Sequence, residues 1–146
     1  LNASDKVESK MIWGIQWDLA CDFISKKGEQ KSITNSTTWG NYPDSTGNAA
    51  VMDGETKKYG SKQVTGYSEY WKANNIYDLA GNCYEWTQDA NNTNNRASRG
   101  VDCYTNASNN RVSRRDYSDA YSSNSSKRFS SHFNNKVALE LINLNV

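Results

Sequence analysis

Residues 74–87 read Asn-Asn-Ile-Tyr-Asp-Leu-Ala-Gly-Asn-Cys-Tyr-Glu-Trp-Thr. Gly81 before Asn82 suits a turn that needs positive φ. Asn75, Asp78 and Asn82 carry short polar side chains that fold back on loop backbone as Asx turns. Trp86 is expected to fill the core beneath them. A knot of such oxygens also suits a structural Ca²⁺ at Asn75, Asp78 and Asn82, since side-chain and carbonyl oxygens are its ordinary ligands. Glu85 is open to two readings, a general acid or base and a structural carboxylate accepting backbone N–H groups. Its place beside Trp86 favours the second.

Upstream, residues 11–25 have helical periodicity. Ile12, Trp13, Ile15, Trp17, Leu19, Ala20, Phe23 and Ile24 are apolar, and Gly14, Asp18, Cys21, Asp22 and Ser25 form a polar stripe. Lys26, Lys27 and Gly28 supply a cationic last turn and a stop. Trp13 and Trp17 border the apolar face and are expected in the core. Residues 28–70 read as loop, with turn chemistry throughout 35–48. Downstream, 91–135 holds ten Asn and ten Ser in 45 residues, and Val101 and Val112 are its only aliphatics larger than Ala. Composition alone would leave such a segment disordered, because it buries too little apolar area to offset its ordering entropy. The apolar run Val137-Ala-Leu-Glu-Leu-Ile-Asn-Leu144 reads as a strand. Residues 91–135 are therefore expected to be loops held at both ends.

The whole chain has 146 residues, enough for one domain. Its net charge of +1 gives no field for nucleic acid or an anionic membrane, and no apolar run is long enough to span a bilayer. One His and three Cys without CxxC spacing argue against a His/Cys zinc site. His132 has no nucleophile motif around it, so a hydrolase is unsupported. A hydrophobic fraction of 36% combined with 9 Tyr and 5 Trp makes a polar chain with a large aromatic content.

The 74–87 stretch closely resembles the N-x-x-D-x-x-G-N-V-x-E-W-T signature of the formylglycine-generating-enzyme (sulfatase-modifying factor) family. Asn75, Tyr77, Asp78, Leu79, Gly81, Asn82, Glu85, Trp86 and Thr87 match, and Cys83 stands where the family usually has Val. Met11–Asp18 resembles the family's helix before its long loop. Arg99-Gly100 resembles the start of its R-G-G segment, with Val101 in place of the second Gly. Val112-Ser113-Arg114-Arg115 resembles its A-S-x-R strand. Asn134–Leu139 resembles its closing G-F-R-V-A-L strand, with the G-F-R part changed. The resemblance spans about residues 11–142. It implies an α+β fold of the C-type-lectin-like, formylglycine-generating-enzyme type, rich in loops. It also implies that 1–146 is a single domain from the C-terminal part of a longer protein, and that members of the family hold structural calcium.

Enzymatic members of that family use two cysteines, five apart, to bind copper and activate oxygen; thiolate pairs suit Cu(I) because both partners are soft. Here Cys103 falls near the first position and Ser108 stands five residues on. A hydroxyl is a poor Cu(I) ligand, so oxidase activity is not expected and the chain reads as non-enzymatic, with no cofactor beyond the calcium considered above. The same lectin-like variant displays the variable residues of proteins diversified by retroelements in phages and bacteria. Residues 101–135 have a similar composition, rich in Asn, Ser, Tyr, Asp and Arg. Tyr offers contact area with a polar tip at low entropic cost, and Ser and Asn adapt their hydrogen bonds. The candidate ligand-binding residues are Asp102, Tyr104, Asn106, Asn109, Asn110, Arg114, Tyr117, Tyr121 and Asn124, with Tyr104, Tyr117 and Tyr121 as anchors on one face. The implied partner is a protein or surface ligand, and the implied location a virion, cell surface or secretion. A structural domain of a phage tail or surface protein is the alternative. For a sugar lectin the nearest tripeptide is Tyr42-Pro43-Asp44, in the wrong setting. The sequons at Asn2, Asn35, Asn91, Asn106 and Asn124 read as chance in so Asn- and Ser-rich a chain.

Overall fold

A computed structural model describes residues 11–46, 60–121 and 127–129, and in these the chain is mixed α+β. One helix, α1 (Gly14–Lys26), packs on a four-stranded sheet of β3 (Tyr84–Ala90), β4 (Asn95–Arg99), β5 (Arg115–Asp119) and β6 (Lys127–Phe129). The sheet order is β5-β4-β3-β6, with β6 parallel to β3 and the other pairs antiparallel. A separate small hairpin joins β1 (Lys72–Ala73) to β2 (Ile76–Tyr77). Its loop residues Asn74 and Asn75 both have positive φ, as the two-residue turn that matches strand twist requires. Asn75 thus serves the hairpin.

Helix α1 starts where Gln16 Oε1 accepts the Trp13 N–H at 2.8 Å, and it ends at Gly28 with φ 58°. The end is clasped to the hairpin: Asn74 Oδ1 accepts the Glu29 N–H, and Glu29 Oε1 accepts the Asn74 N–H, both at 3.0 Å. The buried face is Gly14, Trp17, Ala20, Cys21 and Ile24. This corrects the periodicity reading, which put Gly14 and Cys21 on the polar stripe and Trp13 in the core. Trp13, Ile15 and Leu19 are instead exposed. At Gly14 the reason is steric: a Cβ there would overlap the Asp89 carboxylate, so only glycine lets the helix start this close to the end of β3.

The core joins Trp17, Ile24, Trp39, Tyr42, Ile76, Leu79, Val101 and Val112. Both aliphatics of the polar segment are therefore spent inside, which answers the compositional argument for disorder over 91–121. That stretch also contributes β4 and β5, which composition did not foretell. Val112 and Ser113 lie in a turn, so the segment read as an A-S-x-R strand becomes strand only at Arg115. Residues 28–46 and 60–68 are loop, as expected, apart from a bridge between Asn41 and Gly81. The strand expected over 137–144 lies outside the described residues, as do Asn124 and His132.

Candidate ligand-binding surface

The quoted motif is a clamp for loops. Gly81 has φ 82°, and a Cβ there would overlap the Asn41 carbonyl, so the turn expectation holds. Asn82 is fully buried. Its Oδ1 accepts the Gln63 N–H at 2.9 Å, and its Nδ2 donates to the Gln63 carbonyl at 3.0 Å. Asn41 grips the same loop, donating from Nδ2 to the Ser61 carbonyl at 2.8 Å and accepting the Gly60 N–H at 3.2 Å. Asp78 Oδ2 accepts the Gly66 N–H at 3.0 Å. The Asn82 oxygen and Asp78 Oδ2 thus already serve backbone donors, and Asn75 is exposed in the hairpin turn. No three His, Cys, Asp or Glu side chains among the described residues are grouped to share an ion. Asn82 and Asp78 act as anchors for the preceding loop.

Strand β3 alternates across its two faces. Glu85 and Thr87 are buried toward α1, and Glu85 lies opposite Arg99 of β4. Glu85 is closed to any substrate, in keeping with a structural carboxylate. Arg99, 2% exposed, pairs with Asp18 of α1, which also takes Arg115 at 3.2 Å. Trp86 therefore points the other way. It is half-buried on the sheet face turned from α1, which corrects its placement in the core. Lys127 Nζ sits 4.5 Å from its ring centroid and 6.0 Å from that of Tyr84, and donates to the Ser118 hydroxyl. Such stacking is electrostatically favourable, worth about 0.5–1 kcal/mol at exposed sites. Burial pushes the Lys127 ammonium pKa down and the Tyr84 phenol up, with Arg114 opposing the latter. Ser98 and Asp116 complete this face through their register with Trp86 and with each other. The sequence reading had not singled out Tyr84, Ser98, Ser118 or Lys127 for it. The alternation Tyr84-Glu85-Trp86-Thr87 was the available signal.

Loop 101–114 borders the same face. Val101, Cys103, Ala107 and Val112 are fully buried and act as pegs. Asp44 fixes the tip: Oδ1 accepts the Ala107 N–H at 2.8 Å and Oδ2 the Ser108 N–H at 3.0 Å. Burial pushes the Asp44 pKa up, but the Ser108 and Ala107 amides and the Ser108 hydroxyl outweigh it and hold the pKa below its ordinary value. Ser108 is thus committed to Asp44. Between Cys103 and Val112 several side chains face out. Tyr104 is 62% exposed, and Asn106 and Asn109 are exposed. Asn110 donates to the Asn106 carbonyl at 3.0 Å and accepts from Arg114, which pairs with Asp116 at 2.9 Å.

Two of the expected contact residues fall elsewhere. Asp102 is buried, and its Oδ1 takes the Tyr104 N–H at 3.3 Å and the Thr105 hydroxyl at 2.7 Å, so it shapes the turn. Tyr117, 41% exposed, is paired with Ala97 in the register that sends Arg115 and Arg99 to Asp18. It therefore lies on the α1 side of the sheet, whereas the Tyr104 loop adjoins Tyr84 on the other. Tyr121, 88% exposed, follows β5 in a turn. The three tyrosines are all exposed, but Tyr117 is set apart from Tyr104.

No helix among the described residues is long and apolar enough to cross a membrane. No protein-family model, no curated protein and no solved structure matches the chain.

Proposed function

We propose that the chain is a non-catalytic recognition domain, with a lectin-like fold of the formylglycine-generating-enzyme type. It binds its ligand with loop 101–114 and the adjoining sheet face of Tyr84 and Trp86. One observation carries this reading: the loop is held by four buried pegs and by Asp44, yet presents Tyr104, Asn106 and Asn109 to solvent. A stiff frame with exposed amphipathic tips loses little entropy on binding, which is the physics of a paratope. The 75–87 match supports the family, and the composition of 101–135 supports diversification by a retroelement. A protein or surface ligand, met at a virion or cell surface or after secretion, fits such a face. We propose no cofactor.

The copper oxidase reading has less support, because the position five residues after Cys103 is Ser108, engaged with Asp44. A Cu(I) competition titration tests it. Because the Cys103 N–H donates to the carbonyl next to Cys83, the titration is run in a Cys83→Val background. Weak binding, unchanged by adding Cys103→Ser, is expected; tight binding lost in that double variant would overturn the non-enzymatic reading. Diversification is tested in the flanking DNA, by a reverse transcriptase gene and a near-copy of codons 101–135 that differs at adenines. Recognition itself is tested on peptide and glycan arrays, where binding sensitive to Tyr104→Ala is expected. Array binding that Tyr104→Ala and Trp86→Ala both leave unchanged would move the site off this face.

A further inference from the structure

The chain has three cysteines, all reduced in the structure. Two of them come together across the join between the motif and the loop. The Cys103 N–H donates to the Asn82 carbonyl at 3.2 Å, and Cys83 is the next residue along. That bond leaves a short path from one Cα to the other, and standard backbone dimensions hold the 83–103 separation to about 7 Å or less. This is the reach of a disulfide, whose Cα atoms lie about 4.4–6.8 Å apart. Both residues are buried, at 3% and 0% exposure, so neither thiol is spread into solvent. Burial first, then the charges of Asp102 and Cys83, push the Cys103 thiol up to about 11, which places the two sulfurs within electrostatic reach. Cys21 is different. It lies inside α1, its thiol pushed up to about 12 by burial and by Asp22, with a Trp17 hydrogen bond opposing.

We propose that Cys83 and Cys103 are a disulfide-forming pair that locks the base of loop 101–114 to the motif turn. The oxidant is a low-molecular-weight disulfide such as oxidised glutathione. One cysteine, as thiolate, attacks a glutathione sulfur, forms a mixed disulfide and releases one reduced glutathione. The second cysteine then attacks the protein-bound sulfur, closing the Cys83–Cys103 bond and releasing the second glutathione. The two thiol protons end on the two glutathiones. The elevated thiol pKa makes exchange slow in the folded protein, because only the thiolate attacks, so the bond is expected to form during folding. The ring it closes runs through β3 and β4, outside α1.

Refolding in a reduced/oxidised glutathione mixture tests this, since each cysteine falls in its own tryptic peptide: 11–26, 73–96 and 100–111. Expected are an intact mass lower by the two hydrogens lost, peptides 73–96 and 100–111 joined without reductant, and Cys21 still open to alkylation after unfolding. The oxidised form should melt about 5 °C or more above the reduced form. Cys21→Ser should preserve the link. Cys83→Val and Cys103→Ser should each abolish it, two chemically different replacements guarding against misfolding of one. Three alkylatable thiols after oxidative refolding, a link through Cys21, or stable glutathione adducts on Cys83 and Cys103 would overturn the pairing.

Discussion

Asp44 accepts the N–H of Ala107 at 2.8 Å across 63 residues of chain, and with its other oxygen it holds Ser108. The carboxylate ties the loop upstream of the motif to the tip of the loop we assign to recognition. Charge-assisted bonds of this kind are the stronger ones. Asp44→Ala is expected to destabilise the fold by about 1–2 kcal/mol at neutral pH, measured by urea unfolding. The pKa in the fold is depressed, so the stabilisation is fully present above the ordinary aspartate value of about 3.9 and is lost as pH falls through the folded value. The difference between the protein and Asp44→Asn should therefore narrow below about pH 4. A gap of constant size down to pH 3 would assign the effect to packing.

Asp18 receives two guanidinium groups, from Arg99 at 2% exposure and from Arg115 on the sheet edge. Removing its charge leaves the Arg99 cation buried without its carboxylate. Breaking a buried pair costs about 3–5 kcal/mol, and the partial exposure of Asp18 lowers the expectation for Asp18→Ala to about 2–3 kcal/mol. Asp18→Asn should lose less, since an amide oxygen still accepts. Arg115→Ala, on the exposed side, should lose under about 1 kcal/mol. Equal losses for Asp18→Ala and Arg115→Ala would show that Arg99 does not depend on Asp18.

Trp17 and Trp86 are expected to separate sharply. Trp17 is fully buried, and its Nε1 donates to the Val112 carbonyl at 3.1 Å, so Trp17→Ala should destabilise by about 3–5 kcal/mol. Trp86 is half-buried beneath Lys127, and Trp86→Ala should cost only about 1–2 kcal/mol. Chemical denaturation of both variants reads the difference. A loss at Trp86 as large as at Trp17 would mean that something else covers its ring.

The reason Trp86 was misplaced from sequence lies in strand parity. Residues 82–87 show where a turn ends and a strand begins, but not which phase of the strand faces the helix. Glu85 occupies the buried phase, in register with Arg99 of β4, a pairing between residues fourteen apart that no local pattern reveals. Hydrophobicity then favours the wrong phase. The same failure occurs in α1, where Gly14 is buried against Asp89 and Cys21 within the apolar core while Ile15 stays in water at 63% exposure. Local chemistry was more legible. Gly81 at positive φ and the Asn82 side chain on loop backbone follow from residue type alone. So does the exposure of Tyr104, in a segment with too few aliphatics to bury its polar residues. Strands β4 and β5 were hidden because their stability comes from cross-strand pairing, β4 with β3 and β5 with β4, while their own polar residues, Asn95–Arg99 and Arg115–Asp119, argue for loop.

Tyr104 and Tyr117 test where the binding face lies. Both are exposed, so neither substitution to Ala should change stability by more than about 0.5 kcal/mol. Their positions differ. Tyr104 extends from the pegged loop beside Tyr84, whereas Tyr117 lies on the α1 side of β5, in register with Ala97. Large amphipathic side chains near the centre of a contact dominate its energy, and residues outside it contribute almost nothing. For a ligand found on the arrays, Tyr104→Ala should therefore weaken binding by about 1–3 kcal/mol, or roughly fivefold to 150-fold, while Tyr117→Ala leaves it unchanged. Calorimetric titration paired with a melt on the same samples separates binding from folding. A binding loss at Tyr117 with none at Tyr104 would place the ligand on the α1 side of the sheet. A drop in melting temperature with Tyr104→Ala would make that residue part of the frame that holds the loop.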